Sequence, residues 1–178
     1  SGSKPMIGLE GKTLTSRRLT YRLLEDGDRQ ALAALLADPA VTEPGGFRPA
    51  RTEAEFDEFY RGLTAYHTGV AILREGALIG YICVGPWHPD DAAYAGKTCV
   101  SFGFVIGKAA QGHGYGAEAL ETMTAYMKGR ADFCFADHFE GNEPSRKTIL
   151  KCGYRFCDCY TMFFEALGRE ERCLSYVF

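Results

Sequence analysis

Residues 111–116, with the sequence QGHGYG, have the composition and position of a phosphate-binding turn. They follow a predicted apolar strand and open a predicted helix, and glycine tolerates the positive φ that a tight turn requires. The N–H groups at a helix start, together with the helix dipole, favour a bound phosphate or pyrophosphate. We therefore expect a phosphate-bearing ligand to contact the backbone of Gln111, Gly112, His113, Gly114, Tyr115 and Gly116.

The elements that position this turn alternate strands with helices. Apolar periodicity predicts a strand, two helices, a hairpin, a strand, a helix, a strand, a short helix and a terminal hairpin. The predicted strands span 19–25, 70–74, 77–84, 98–106, 133–139, 154–166 and 171–178. The strand–helix–strand unit over 98–139 predicts a parallel pair with a right-handed crossover. We expect one mixed sheet with helices on both faces, an α/β or α+β fold.

Local signals set the predicted boundaries of the helices. Asp26 or Asp28 can cap the first helix, which we expect to stop at Asp38-Pro39. The segment 41–50 is predicted to be a loop because it contains two prolines and two glycines. Thr52 and Glu55 predict a capping box for the second helix, and Gly69 a C-terminal stop. A second loop is predicted over 86–97.

Length, charge and cysteine content restrict the class of protein. A chain of 178 residues fits a single domain, 1–178, in which residues 1–3 (SGS) have the sequence of a tag-removal scar. The net charge of −3 gives no basic surface for nucleic acid. No apolar run approaches the roughly 20 residues that span a membrane, and no signal peptide is visible. The odd number of cysteines, seven, predicts reduced thiols in a cytoplasmic protein. Cys157 and Cys159 lack further ligands at suitable spacing, so we expect no metal.

Two motifs in this order resemble the GNAT family of N-acetyltransferases. QGHGYG is similar to the family's acetyl-CoA signature, Q/R-x-x-G-x-G/A. Downstream, the segments NEPS (142–145) and KCGY (151–154) resemble the N-x-x-S and K-x-G-F/Y pattern of the ribosomal-protein N-terminal acetyltransferase (RimJ/RimL) branch. The likeness extends from about Leu19 to the C-terminus. It implies the GNAT fold, with a V-shaped separation of two strands, and acetyl-CoA as the co-substrate.

The resemblance also implies how the site works. The pyrophosphate of acetyl-CoA contacts residues 111–116, which we call the glycine turn. The pantetheine arm pairs with the backbone of Phe104, Val105 and Ile106. In a ternary complex, a primary amine attacks the thioester directly and a strand N–H stabilises the oxyanion. Ser145 assists the leaving sulfur by a hydrogen bond or a proton relay, and Asn142 positions the cofactor or a water.

The general base is less well defined by the resemblance. His138 is the first candidate, because its ordinary pKa suits proton transfer near neutral pH, and Glu43, Asp137 and His88 are alternatives. Two positions depart from the family: Ile149 stands where many members have a tyrosine acid, and Ser101 where many have a glutamate. Because this glutamate is missing, the resemblance does not identify the general base.

Three functions follow from these patterns. The first is acetyl transfer to a primary amine: a protein N-terminus, a peptide, an amino acid or another small molecule, selected by the loops 41–50 and 86–97. The second is a non-catalytic acyl-CoA sensor. The third is a dinucleotide-binding domain, because Gly112, Gly114 and Ala117 fit G-x-G-x-x-A, although residues 107–111 separate them from the strand. The chain is expected to be a monomer or a homodimer.

Overall fold

A computed structural model describes residues 7–178 of the chain. The strands are β1 (Leu14–Thr15), β2 (Thr20–Leu23), β3 (Gly69–Arg74), β4 (Ala77–Pro86), β5 (Cys99–Ile106), β6 (Phe133–Phe139), β7 (Arg155–Phe164) and β8 (Arg169–Val177). They form one mixed sheet in the order β1-β2-β3-β4-β5-β6-β8-β7. The predicted strands are confirmed, and the short β1 was not predicted. Residues 1–3, the expected tag scar, lie outside the described residues.

Helices cover both faces of this sheet, as predicted. They are α1 (Arg29–Leu35), α2 (Pro39–Thr42), α3 (Glu53–Thr64), α4 (Tyr115–Met127) and α5 (Glu143–Lys151). Alternation along β3 separates two cores: Val70 and Ile72 pack with α4 and α5, whereas Ala71 and Leu73 pack with α1 to α3. Burial on both faces explains why β3 is a nearly continuous apolar run.

The sheet opens between β5 and β6. β5 pairs with β4 along its length, from Val100 to Ile106. Its parallel pairing with β6 joins only residues 99–102 to residues 133–136, although both strands continue beyond these points. The strands therefore diverge in a V after Phe102, and the backbone of residues 103–106 is open on the side of β6. The parallel strand–helix–strand unit and the V-shaped separation are both as expected.

Two predicted helix boundaries are wrong. The segment predicted as a loop from residue 41 includes the end of α2 and a 3₁₀ turn, Glu43–Gly45. Asp38 caps α2 by accepting from the Ala40 N–H at 2.9 Å, and Pro39 fits the first turn because that position needs no N–H donor. Gly69 begins β3 instead of ending α3, and a Cβ there would lie 2.6 Å from the Leu63 carbonyl oxygen. Close approach of α3 to the strand therefore explains this glycine.

Candidate active site

A cleft of about 690 Å³ lies where β5 and β6 diverge. Its wall is built from the end of β5, the glycine turn, the first turn of α5 and the end of β6, with contributions from α2 and β7. It contains all the predicted site residues except one: Phe104, Val105, Ile106, Gln111, Gly112, Gly114, Tyr115, Gly116, His138, Asn142 and Ser145. His113 is not part of this wall. The V-shaped opening thus collects residues that are distant in sequence.

The glycine turn owes its shape to backbone conformation. Gly112 and Gly114 have φ of 83° and 79°, and Gly114 is the N-cap of α4. A Cβ at Gly112 would meet no atom within 4 Å, so the positive φ and not crowding requires glycine there. The Gln111 side chain closes the turn by donating from Nε2 to the Ile106 carbonyl at 2.9 Å. The first-turn N–H groups of α4 have no partners within the helix and can bind an anion.

Arg18 and Glu118 hold the outer side of this turn. Arg18 donates from Nε to Glu118 Oε1 at 2.7 Å, and from Nη1 to the His113 carbonyl at 2.9 Å. Its guanidinium also lies 4.5 Å from the ring centroid of Tyr115. Partial burial would raise the pKa of Glu118, but hydrogen bonds from Ser16 and Arg18 outweigh it and keep that pKa below its usual value. The sequence offers no spacing signal for this pair, which is 100 residues apart.

Asn142 and Ser145 form the N-terminal cap of α5. Asn142 Oδ1 accepts from the Ser145 N–H at 3.3 Å, so one acceptor of this side chain serves the helix. Within residues 7–178, no hydrogen bond engages the Ser145 hydroxyl, and this residue lines the cleft. The helix cap thus places a hydroxyl group at the cleft wall.

His138 is buried, and its ring is committed to other groups. It is 6% exposed, with Nδ1 2.7 Å from the Phe139 carbonyl oxygen and Nε2 2.9 Å from the Tyr176 hydroxyl. A carbonyl only accepts, so Nδ1 carries the proton and Nε2 accepts from Tyr176. This arrangement leaves no nitrogen lone pair for an incoming amine.

Among the alternative bases, the cleft wall includes only Asp137. Glu43 and His88 are exposed and outside the wall. The Asp137 carboxylate accepts from the Tyr160 hydroxyl at 2.5 Å and from the Ser175 hydroxyl at 2.9 Å. Burial raises the pKa of Asp137 above its usual range, although these two hydrogen bonds oppose the change. Sequence reasoning did not identify Tyr160 or Ser175.

The half of the cleft around Asp137 is largely apolar. Val41 and Pro44 reach it from α2 and the following turn, and the rings of Phe139 and Phe164 meet edge to face at 4.9 Å between centroids. Of the two loops predicted to select the acceptor, only 41–50 contributes to this wall. The segment 86–97 instead packs Trp87 and Tyr94 against apolar side chains of β6.

The sequence of residues 18–155 matches the family model described as an acetyltransferase (GNAT) domain. The chain belongs to the GNAT acetyltransferase family. The predicted family, fold and acetyltransferase activity are confirmed, and the dinucleotide-binding alternative is wrong. No curated protein sequence matches the chain.

Several solved structures share this fold at low identity. A GNAT-family acetyltransferase from Bacillus anthracis has a TM-score of 0.79 and 18% identity, covering 93% of this chain and 97% of its own. Spermidine N-acetyltransferase from Vibrio cholerae, solved with CoA and spermine, has a TM-score of 0.74 and 17% identity, covering 92% and 96%. RimJ from Mycobacterium smegmatis, solved with a CoA disulfide, has a TM-score of 0.71 and 15% identity, covering 90% and 81%. The CoA bound to the last two agrees with the predicted co-substrate.

Two further properties concern the part of the chain that the structure describes. Across residues 7–178, no helix has the length and apolar character needed to cross a membrane. The same residues contain no group of three or more His, Cys, Asp or Glu side chains that could hold a metal ion. All seven cysteines are free thiols.

Proposed function

We propose that this GNAT protein transfers the acetyl group of acetyl-CoA directly to a primary amine bound in the same cleft. One observation carries the proposal: a single cleft joins a helix start with free N–H groups, an open strand edge and an apolar surface around a half-buried carboxylate. The first two suit the acetyl donor, and the third suits an amine acceptor. The reaction needs both in one space because no covalent enzyme intermediate is involved.

The donor occupies the half of the cleft formed by β5 and the glycine turn. Its pyrophosphate contacts the N–H groups around Gly112, Gly114 and Gly116, which present no side chain between the backbone and the ligand. Its pantetheine amides pair with the open backbone of residues 104–106. The acetyl thioester then lies near the diverging ends of β5 and β6.

Acetyl transfer begins with attack by the neutral amine on the thioester carbonyl carbon. The C–N bond forms, a β5 N–H stabilises the oxyanion, and the C–S bond breaks. Ser145 donates a hydrogen bond to the departing sulfur, and the amide group of Asn142 helps to hold the pantetheine end. His138 positions neighbouring groups and does not take the proton of the amine, since both of its ring nitrogens are hydrogen-bonded within the protein.

The acceptor is a primary amine attached to an apolar group. Val41, Pro44, Phe139 and Phe164 offer apolar contact, and the negative charge of Asp137 in the same wall attracts the amine to this half of the cleft. A polyamine such as that of the Vibrio cholerae neighbour carries several charges, and this surface would leave the remaining ones unpaired. An amino terminus or small-molecule amine with an apolar neighbour fits better.

Thiol release from acetyl-CoA tests this function. We expect release with N-terminal peptides or arylalkyl and alkyl amines, much less with spermidine, and product masses increased by one acetyl group. Binding of acetyl-CoA by calorimetry without release for any amine would favour the acyl-CoA sensor. Light scattering of the same sample distinguishes a monomer from a homodimer. We also propose a single domain and a cytoplasmic location, which suits seven free cysteines.

A further inference from the structure

Asp137, Tyr160 and Ser175 form a hydrogen-bonded cluster at the acceptor half of the cleft. The strand order β6-β8-β7 creates it, because Asp137 lies opposite Ser175 on β8, while Tyr160 lies one strand further away. Tyr160 reaches back past Cys173 to place its hydroxyl 2.5 Å from Asp137 Oδ2. Both Asp137 and Tyr160 are part of the cleft wall.

The protonation states within this cluster are defined by its geometry. An ionised carboxylate accepts from both hydroxyl groups, one at each oxygen. Burial and the neighbouring Asp137 raise the pKa of Tyr160, so its hydroxyl keeps its proton at neutral pH. A neutral phenol hydrogen-bonded to a half-buried carboxylate can accept a proton on oxygen as it donates its own.

We propose that Tyr160 and Asp137 remove the proton from the acceptor amine, an inference that rests on the proposed acetyl transfer. As the C–N bond forms, the amine nitrogen gives its proton to the Tyr160 oxygen, and the Tyr160 hydroxyl proton moves to Asp137. The C–S bond breaks, and the thiolate takes a proton from solvent through Ser145. Asp137 returns its proton to solvent after the amide leaves, so charge and protons balance.

This relay gives a role to a half-buried carboxylate beside an apolar surface. An isolated buried carboxylate is costly, and no Lys or Arg side chain is hydrogen-bonded or ion-paired to Asp137 within residues 7–178. His138, its chain neighbour, directs both ring nitrogens to other groups. The hydrogen bonds to the carboxylate therefore come only from hydroxyl groups among the described side chains, while His138, Cys157 and Cys173 are the other titratable groups close to it. Of the two hydroxyl-bearing residues, Tyr160 lines the cleft.

Three variants test the relay through the pH profile of kcat/KM. Tyr160→Phe and Asp137→Asn are expected to lower kcat by about 10²-fold or more, with unchanged acetyl-CoA affinity by calorimetry. Asp137→Asn also removes the contribution of Asp137 to the acidic limb of the profile and leaves the part that comes from protonation of the free amine. Ser175→Ala removes a hydrogen bond that favours the ionised carboxylate, so the acidic limb moves to higher pH by roughly one unit. Tyr126→Phe is the matched control, since its hydroxyl binds the Ile7 carbonyl away from the cleft, and we expect full activity.

The possible outcomes separate the relay from the proposed function. Circular dichroism and thermal unfolding establish that each variant is folded, and the mild Ser175→Ala change gives a pH shift that a merely structural role does not produce. An active parent whose Tyr160→Phe or Asp137→Asn variant keeps its kcat overturns the relay alone. A parent that binds acetyl-CoA but acetylates no amine overturns the proposed function, and the relay with it.

Discussion

Arg18 and Glu118 form an ion pair that fixes the glycine turn from outside the cleft, with 2.7 Å between Nε and Oε1. The same arginine holds the His113 carbonyl, so one side chain joins the segment before β2 to both the turn and the first turn of α4. Neither residue belongs to the cleft wall. If the coenzyme binds at this turn as proposed, the pair acts on it only through the backbone that it positions.

Arg18→Ala is expected to weaken acetyl-CoA binding by about fivefold to tenfold, a loss of roughly 1 kcal/mol in binding free energy. The reason is that the turn must be ordered upon binding once its outer support is lost. Isothermal titration calorimetry measures the change. Arg29→Ala is the control, because it breaks a surface ion pair with Asp57 between α1 and α3, and should leave the affinity unchanged. Equal affinities for the parent and Arg18→Ala would contradict this role.

Gly114→Glu is expected to abolish acetyl-CoA binding. At φ 79°, any side chain strains the backbone, and a carboxylate at this helix start also repels the pyrophosphate. Gly114→Ala separates the two effects, since it adds the strain without the charge and should reduce the affinity by only about tenfold. Calorimetry on both variants measures the difference. Tight binding of acetyl-CoA by Gly114→Glu would show that the coenzyme binds somewhere other than this turn.

Ser145→Ala is expected to reduce kcat by about 10-fold to 100-fold while the acetyl-CoA dissociation constant stays nearly constant. The hydroxyl is proposed to assist only the departing sulfur, so its loss affects the transition state more than the bound donor. Ser101→Ala provides a comparison on β5 outside the cleft wall, and should behave like the parent. Steady-state kinetics and calorimetry give the two quantities. A fully active Ser145→Ala enzyme removes this residue from the mechanism.

Glu118→Gln is expected to destabilise the protein at neutral pH, by roughly 2 kcal/mol of unfolding free energy. The pKa of Glu118 is lowered in the folded state, so its contribution is present above the unfolded pKa and is lost as pH falls through the folded pKa. The stabilities of parent and variant should therefore converge under acidic conditions. Urea denaturation at neutral and acidic pH tests the trend, and a constant difference would contradict it.

Local patterns in the sequence predict much of the fold and most of the residues that line the cleft along β5, the glycine turn and the start of α5. The glycines at 112 and 114 and the Asn142 cap have roles that depend on the few residues around them. Alternation of apolar residues likewise predicts the long strands correctly. The prediction that Pro39 is followed by a loop was wrong. A proline can end one helix or begin the next, and here it begins α2.

The acceptor half could not be predicted because it depends on strand order. In the sequence, Tyr160 follows Asp137 by 23 residues, and nothing in the hairpin pattern indicates that β8 inserts between β6 and β7. That insertion directs Tyr160 and Ser175 to the same carboxylate. The Arg18–Glu118 pair likewise cannot be predicted from the sequence, since it forms only when the N-terminal segment packs beside α4. Long-range packing decides both features.

Because pairing between β5 and β6 ends early, the proposed binding mode makes acetyl-CoA a structural component of the sheet. Backbone groups of residues 103–106 on the β6 side have no strand partner, although Gln111 donates to the Ile106 carbonyl, and in the proposed complex the pantetheine arm supplies one. Donor concentration should consequently govern the rigidity of this region and the melting temperature of the whole protein. The cellular supply of acetyl-CoA would then influence how long each molecule survives as well as how fast it turns over.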